Sequence, residues 1–314
     1  MAMTAEDVSR FERFRGRLEA IAYRMLGSAS EAEDAVQETF LRWQAADLTR
    51  IEVPEAWLTK VLTNFCLNQL ASARALRETY VGQWLPEPLL DGDPMLGPAD
   101  TAEQRESVSY AVLTLMERLS PNERAVYVLR EAFDYAHREI AEILEISESS
   151  SQQLLRRAKQ HLADGRARTH VDEAVARRIV DEFLAAATSG RTDSIVRLLT
   201  ADAISVGDGG GKVAARTTAV EGGLAVARFL RGMFKPTDAK RLYVGGAAEV
   251  YAWAVNSEPA LVVVVNGEVI GVMCLEVTAD GVTAVRTQAN PDKLARATEL
   301  FAASEHGEPL TTIL

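Results

Sequence analysis

The residues of this chain best suited to chemistry lie in a glycine-rich segment, Asp208-Gly209-Gly210-Gly211-Lys212. A carboxylate there could act as a general base, and glycines beside a lysine could hold a phosphate. We reject a phosphate-binding loop because the GxxxxGK[ST] spacing is absent. A general base needs an oxyanion donor, and no second acid or tyrosine can be assigned to that role. Three adjacent glycines also predict a loop open to water. We therefore predict no catalytic residue and leave a small-molecule ligand open.

Metal and cofactor chemistry have little support in the composition. Only two cysteines, Cys66 and Cys274, and four histidines occur among 314 residues, without CxxC or Cys/His spacing. This pattern predicts a reduced cytoplasmic protein with no metal and no cofactor. No signal peptide is visible, and the apolar run at 261–265 is too short to span a membrane. The net charge of −11 argues against non-specific DNA binding, so nucleic-acid contacts must come from local basic patches.

Residues 137–165 have the pattern of a helix-turn-helix. Apolar spacing at Ile140 and Leu144, a turn near 145–147 and a second helix from Ser149 predict it. Glu145 replaces the usual turn glycine, and Ser151 stands where a larger apolar residue is common. Polar and basic residues at the front of the second helix suit base edges, and those behind suit phosphates. The candidates are Ser149, Ser150, Gln152, Gln153, Arg156, Arg157 and Lys159.

The stretch from Ser28 to Trp43 predicts an amphipathic helix. Gly27 ends a preceding helix, and Ser30 with Glu33 suggests a capping box. An apolar stripe repeats at helical spacing on one side. The other side is acidic and polar with one leucine, which suits either a solvated face or a docking face for a large, basic partner. Its residues are Asp34, Gln37, Glu38, Leu41 and Arg42.

A third helix begins at Pro54, a favoured first position, and extends to about Glu78. One side carries amides, hydroxyls and positive charge without carboxylates. That composition suits either a nucleic-acid face or a polar solvent face. The candidates are Lys60, Asn64, Asn68 and Arg74, with Thr63 on the same side.

Residues 79–104 combine four prolines and three glycines with many large apolar side chains. The prolines and glycines indicate a linker, whereas a free linker seldom carries so many apolar groups. We expect it to lie in a groove, anchored by Trp84-Leu85-Pro86-Glu87-Pro88. The alternative is a disordered tether.

Residues 168–302 predict an α+β domain. Two helices open it, and another covers 224–234. Strands are predicted at 241–245, 250–255, 260–265, 269–277 and 282–287, with Asn266-Gly267 as a hairpin turn. Asn290-Pro291-Asp292-Lys293 follows the last strand and is expected to cap a terminal helix over 294–303. The result is a curved sheet wrapped over helices.

Three motifs in order, SEAEDAVQETFLRW, AWLTKVLTNFCLNQL and LSPNERAVYVLREAFDYAHREIAEILEIS, resemble the extracytoplasmic-function (ECF) sigma factors. WLPEP, DGGGK and NPDK resemble the subgroup with a fused SnoaL-like domain. The resemblance implies two all-α domains plus an α+β SnoaL/ketosteroid-isomerase-like cone. The implied domains are region 2 at 1–83, a linker at 84–107, region 4 at 108–165, the SnoaL-like domain at 168–302 and a tail at 303–314.

The same resemblance implies roles for the candidate surfaces. The helix with Leu41 would bind the β′ clamp helices of core RNA polymerase. The face with Asn64 and the loop at 44–53 would bind the melted −10 element, and the helix from Ser149 would enter the −35 major groove. The C-terminal domain would replace an anti-sigma protein and regulate in cis. It would contact the sigma domains through the WLPEP, DGGGK and NPDK segments, and its opening would expose the docking helix. The alternative is a helix-turn-helix regulator fused to a ligand-binding or enzymatic cone.

Overall fold

The computed structural model describes residues 4–77, 80–98, 101–163 and 173–313. The chain forms two compact units. The helical unit comprises Met1–Thr79 and Gly92–Arg166, and the C-terminal unit comprises Tyr80–Asp91 and Ala167–Leu314. The segment Tyr80–Asp91, which we call the linker segment, therefore belongs to the C-terminal unit although it joins two stretches of the helical unit.

The helical unit is built from α-helices joined by short turns. Two 3-10 turns, Leu48–Arg50 and Pro94–Leu96, and one π-helical turn, Val128–Ala132, lie between them. The α-helices are α1 Ala5–Leu26, α2 Ala29–Ala45, α3 Pro54–Arg77, α4 Ala102–Val108, α5 Tyr110–Met116, α6 Pro121–Tyr127, α7 His137–Leu144 and α8 Glu148–Ala163.

Local capping sets the boundary between α1 and α2. Gly27 ends α1 in the left-handed region at φ 72°, a conformation that glycine adopts without a Cβ penalty. The N-cap of α2 is Ser28, whose hydroxyl accepts from the Glu31 backbone N–H at 3.3 Å. The prediction that Ser30 caps this helix was wrong, because the chain re-enters the helix directly after Gly27 and Ser30 already lies in the first turn.

Two buried arginines tie the helices of this unit together. Arg24 on α1 donates from Nε to Ser107 Oγ and from Nη2 to the Pro98 carbonyl, both at 3.0 Å. Arg124 on α6 donates to Glu117 Oε1 at 2.5 Å and to the Arg24 carbonyl at 3.3 Å. Burial lowers the pKa of each guanidinium to about 10, so both remain charged at neutral pH. Their hydrogen bonds hold α1, α4 and α6 in one core.

The C-terminal unit contains a seven-stranded sheet in the order β2-β1-β6-β5-β4-β3-β7. Strands β1 and β6 run parallel, and the other neighbours are antiparallel. The strands are β1 Leu199–Asp208, β2 Val220–Glu221, β3 Ala248–Val255, β4 Glu258–Val265, β5 Glu268–Thr278, β6 Gly281–Gln288 and β7 Thr311–Ile313. The helices are α9 Glu173–Thr188, α10 Thr192–Val196, α11 Gly223–Phe234, α12 Asp238–Val244 and α13 Ala295–Ala303.

Helices α9, α10 and α11 pack on one face of this sheet. Phe183 of α9 and Leu230 of α11 are fully buried against Val250 and Val285 of the sheet. The two-residue turn Asn266-Gly267 joins β4 to β5 with φ of 52° and 84°, so the predicted hairpin is confirmed. The α+β fold class predicted for this part of the chain is likewise confirmed.

Two element predictions in this unit were wrong. In the stretch 241–245, predicted as a strand, residues 241–244 belong to helix α12, because Thr237 caps the helix start and Gly245 ends it in the left-handed region. These caps override a short run of strand-forming residues. The stretch 303–314, predicted as a tail, includes β7, which pairs with the edge of β3 at Ala248–Val250.

Within the described ranges, no helix is both long and apolar enough to cross a membrane. The same residues contain no group of three or more His, Cys, Asp or Glu side chains that could hold a metal ion. Both cysteines are buried and unpaired, and burial raises the pKa of each thiol.

Candidate functional site

The outer face of α2 is a polar surface with one apolar residue. The opposite stripe of the helix, including Ala35, Val36 and Trp43, is buried, which fixes the rotation of the helix. Trp43 Nε1 also donates to the Asp7 carbonyl at 3.2 Å. Leu41 is 50% exposed. Around it lie the other predicted docking residues, Asp34, Gln37, Glu38 and Arg42, of which Glu38 and Arg42 form an ion pair at 2.9 Å.

The predicted polar face of α3 is only partly free. Lys60 Nζ pairs with Glu145 of the α7–α8 turn at 2.9 Å. Asn64 is half-buried and Asn68 is exposed. Thr63 is buried, so its assignment to this face was wrong. Arg74 lies in α3, but its side chain is outside the described residues.

Helices α7 and α8 form the predicted helix-turn-helix. Glu145, where a glycine was expected, adopts the left-handed conformation at φ 56° and ψ 43°. Ser151 is buried, and its hydroxyl lies 2.9 Å from His137 Nδ1, so a hydrogen bond takes the place of the usual apolar contact. Ala141 is nearly buried where the two helices approach each other.

The outward side of α8 carries the predicted DNA-binding residues. Its helical start is capped by Ser147, whose hydroxyl accepts from the Ser150 backbone N–H at 3.1 Å. Ala158 and Leu162 face the core. Lys159 is exposed, but its ammonium pairs with Glu131 at 2.7 Å, so part of its charge is already neutralised within the unit. The exposed candidates are Ser149, Gln152, Gln153, Arg156 and Arg157, and Ser150 is half-buried.

The C-terminal unit binds the linker segment through main-chain hydrogen bonds. Leu90 forms an antiparallel bridge with Val255 at the end of β3. The Asn256 backbone N–H donates to the Leu89 carbonyl at 2.9 Å, and Asn256 Oδ1 accepts from the Leu89 N–H at 3.0 Å. The Asp91 N–H donates to the Ala254 carbonyl at 2.8 Å. The linker segment thus pairs with the last residues of β3 through one isolated bridge and its flanking hydrogen bonds.

Asp208, at the end of β1, is the centre of this binding site. Its side chain is fully buried, and five donors point at its two oxygens. They are the Tyr80 hydroxyl at 2.6 Å, the Leu85 N–H at 3.0 Å, the Gly210 N–H at 2.9 Å, Lys293 Nζ at 2.8 Å and Gln288 Nε2 at 3.3 Å. The expectation that Asp208 is open to water was therefore wrong, because the linker segment covers it, although Gly211 and Lys212 of the same loop are exposed.

Lys293 links the same carboxylate to the WLPEP sequence. Its ammonium also donates to the Leu85 carbonyl at 2.7 Å and lies 4.2 Å from the ring centroid of Trp84 and 5.1 Å from that of Tyr80. These are cation–π distances. Gln288 Nε2 donates to the Pro86 carbonyl at 3.1 Å. The residues from Leu85 to Pro88 are buried, including Glu87.

The remaining residues of the DGGGK and NPDK loops lie around the Asp208 site. Lys212 pairs with Asp292 at 2.7 Å, and both side chains are largely exposed. Asn290 donates to the Tyr80 hydroxyl at 3.0 Å and caps the 3-10 turn at Pro291–Lys293. Gly210 has φ 61°, and a Cβ there would collide with Asn290, so a side chain is excluded. Gly209 and Gly211 complete the loop.

The electrostatics of this site favour a permanently ionised carboxylate. Burial opposes ionisation of Asp208, but the Lys293 charge and the hydrogen bonds from Lys293, Tyr80 and Leu85 outweigh it, so its pKa lies below the usual value. The pKa of Tyr80 is raised, first by burial and then by its bond to Asp208. At neutral pH the Asp208 carboxylate is therefore ionised, and one of its five hydrogen-bond donors is the neutral phenol of Tyr80.

Sequence reasoning missed Tyr80, Gln288 and Asn256 at this site. Tyr80 stands four residues before WLPEP, and Gln288 stands two residues before NPDK. A polar residue in the last apolar strand was the available signal for Gln288. Tyr80 gave none, since its partner Asp208 is 128 residues away.

Comparison with known proteins assigns two stretches of the helical unit to known domain families. The family description Sigma-70 region 2 matches residues 10–76, and Sigma-70, region 4 matches residues 109–162. The chain is 38% identical over 228 residues to the ECF RNA polymerase sigma factor SigJ of Mycobacterium tuberculosis, covering 72% of this chain and 73% of that protein. It is 30% identical over 285 residues to the probable sigma factor SigI of the same organism, covering 89% and 92%.

A solved structure extends this similarity to the three-dimensional fold. The crystal structure of the Mycobacterium tuberculosis extracytoplasmic function sigma factor SigJ matches with a TM-score of 0.71 at 32% identity. The match covers 91% of this chain and 97% of that one. It includes the C-terminal α+β unit as well as the helical unit.

The helical unit thus carries the two domains by which a transcription initiation factor binds core RNA polymerase and promoter DNA. The chain belongs to the ECF RNA polymerase sigma factors. The predicted fold class and the predicted sigma-factor function are confirmed. The assignments of individual contact residues stay predictions.

Proposed function

We propose that this sigma factor is regulated in cis by capture of its linker segment in the C-terminal unit. The observation that carries this proposal is the buried Asp208 carboxylate, which binds the linker segment directly through Tyr80 and Leu85. The linker segment continues at one end into α3 and at the other toward α4, so its capture restrains the chain that joins region 2 to region 4.

The physical basis is the cost of breaking the hydrogen bonds that hold the backbone of the linker segment. The N–H groups of Leu85, Leu89 and Asp91 are already bonded inside the C-terminal unit. If regions 2 and 4 must change their separation to engage polymerase and promoter together, these bonds have to break. The free energy needed to release the linker segment then reduces the net free energy of polymerase binding. Polymerase binding in turn shifts the equilibrium from the captured to the released state.

For the surfaces of the helical unit we propose the roles that the sigma-factor resemblance implies. The α2 face around Leu41 binds the β′ clamp helices. Lys60, Asn64, Asn68 and Arg74, with the loop at 44–53, contact the −10 element. The exposed side of α8 contacts the −35 element. Leu41 is 50% exposed, so the helical unit presents an apolar side chain on this face.

We further propose that the C-terminal unit acts by binding and not by catalysis, and that the protein works in the cytoplasm with polymerase. Asp208, the best candidate for a general base, has five donors around it and a pKa below the usual value. A general base is effective when its pKa lies near the working pH, and a carboxylate whose pKa is lowered is a weak proton acceptor there. A small-molecule ligand that displaces the linker segment would be compatible with the same mechanism.

Run-off transcription with limiting core polymerase tests the proposal in the full-length chain. Asp208→Ala and Lys293→Ala should each raise transcript yield severalfold, because they release the linker segment. Asp292→Ala is the matched control, since it removes a carboxylate of the same unit whose ion-pair partner is the exposed Lys212. Unchanged yield in both linker variants, with the linker shown to be protease-accessible, would contradict regulation by capture.

A further inference from the structure

Helix α11 of the C-terminal unit exposes an uncompensated positive face. Arg228, Arg231 and Lys235 are spaced i, i+3 and i+7, so they follow one line along the helix and its C-cap. All three are exposed, whereas Val226 and Leu230 on the opposite side are fully buried. We call Arg228, Arg231 and Lys235 the basic stripe.

The basic stripe differs from the arginine-bearing faces of α2 and α9. On α2, Arg42 pairs with Glu38, and on α9, Arg178 pairs with Glu182. Such pairs keep the field of a solvated helix small. Helix α11 has no acidic residue in its sequence, and the three stripe residues have no ion-pair partner in the part of the chain that the structure describes. A merely solvated face would not need this one-sided composition.

Lys240 strengthens the positive field at the end of the stripe. Its ammonium donates to the carbonyls of Gly232, Met233 and Lys235, which are the acceptors at the α11 C-terminus. These carbonyls would otherwise present the negative end of the helix dipole beside the stripe. The pKa of Lys240 is lowered, first by burial and then by the charge of Lys235. Positive charge is therefore concentrated here.

The spacing of the stripe suits a regular polyanion. Seven residues of helix cover about 10 Å at about 1.5 Å per residue. Duplex DNA presents one negative charge about every 1.7 Å along its axis. We propose that the basic stripe binds the phosphate backbone of promoter DNA, so that the C-terminal unit is itself a sequence-independent DNA contact of the initiation complex.

Duplex DNA fits this surface better than an acidic protein surface does. Stable protein interfaces are centred on buried aromatic or apolar anchors. The exposed apolar side chain on the line of the stripe is Leu224, which lies four residues before Arg228 and so beyond the end of the stripe instead of at its centre. DNA is also already bound by the helical unit of this family, so its phosphates are present at high effective concentration for a tethered domain. Because the chain has a net charge of −11, attraction to phosphates depends on local positive surfaces such as this stripe.

The test is the salt dependence of promoter binding by the full-length chain with core polymerase. The triple variant Arg228→Gln, Arg231→Gln, Lys235→Gln is compared with wild type on a labelled duplex promoter fragment. Each lost phosphate contact lowers the slope of log K against log [KCl] by about 0.9, so the triple variant should lose about 2.7. Between about 50 and about 200 mM KCl its affinity should then fall about 40-fold less than that of wild type.

The control is Arg178→Gln, Arg191→Gln, Arg197→Gln, which removes three exposed positive charges from the same unit. This control changes the net charge by the same amount as the triple variant, and its slope of log K against log [KCl] should equal that of wild type. Circular dichroism should be unchanged in both variants, because every replaced side chain is exposed. If the triple variant fails to fold, Arg231→Gln alone should still lower the slope by about 0.9.

Two results would overturn the proposal. Equal slopes for the stripe and control variants would mean that the stripe is only solvated. If the triple variant loses affinity for core polymerase while its slope of log K against log [KCl] is unchanged, the stripe binds an acidic protein surface instead of DNA. Chymotrypsin should cleave the linker segment of the triple variant at the wild-type rate. Loss of the DNA contact can then be distinguished from loss of linker capture.

Discussion

The α2 face and the Asp208 site place the same kinds of side chain in opposite situations. On α2, Asp34, Gln37 and Leu41 are exposed. In the C-terminal unit, Asp208 is fully buried and accepts from five donors, two of them in the linker segment. We propose that the first surface binds a partner outside the chain, whereas the second has its partner within the chain.

This difference shows how two binding functions can be separated in one polypeptide. An exposed docking face can be changed without loss of folding, because its residues contribute little to the core. A buried carboxylate cannot, because removing one member of a buried charged pair leaves the other unsatisfied. Mutations should therefore separate partner binding from linker capture.

The largest expected effect is that of Asp208→Ala. It leaves Lys293, Tyr80 and Gln288 without their shared acceptor and should destabilise the C-terminal unit by about 3 kcal/mol or more. Chymotrypsin should then cleave the linker segment faster at Tyr80, Trp84 or Leu89. Asp292→Ala should be cleaved at the wild-type rate. Wild-type protection in Asp208→Ala would mean that the main-chain bonds at β3 suffice to hold the linker segment.

The pH dependence of this protection has a definite sign. The pKa of Asp208 in the folded chain is below its ordinary value of 3.8, so the stabilisation is fully present above about pH 4. It is lost only as the pH falls through the folded-state pKa. Protection of the linker segment should therefore be constant across neutral pH and disappear only in acid.

A second, smaller effect is expected for Leu41→Arg. A buried charge at an interface centre costs about 2–4 kcal/mol of binding energy, which would abolish detectable association with core polymerase. The melting temperature should stay at the wild-type value because Leu41 is half exposed. Leu310→Arg is the control, since Leu310 is 48% exposed in the C-terminal unit. Loss of helical circular dichroism in Leu41→Arg would instead mean that Leu41 supports the core.

The smallest effect concerns two exposed residues of α8. Gln152→Ala should change base preference at one −35 position by about 1–3 kcal/mol. Arg156→Ala should weaken binding to all promoters alike and lower the salt slope by about 0.9, as expected for a phosphate contact. Sequence-blind losses of equal size in both variants would remove Gln152 as a base contact.

The sequence by itself determined the helices and surfaces whose pattern is local. The apolar face of α2, which turns Leu41 outward, and the polar front of α8 both follow from helical periodicity, which acts over a few residues. Asn266-Gly267 likewise fixes its turn by its own backbone preferences. For these features neighbouring residues supply all the physical information.

Only the tertiary structure decided the environment of Asp208. The glycines beside it suggested exposure to water, but Tyr80 and Leu85 arrive from more than 120 residues away and exclude it. The stretch 241–245 is a different case, because the caps at Thr237 and Gly245 that outweighed strand propensity are themselves local signals. Burial and saturation of a polar group depend on which distant segments meet there, and no local pattern encodes that meeting.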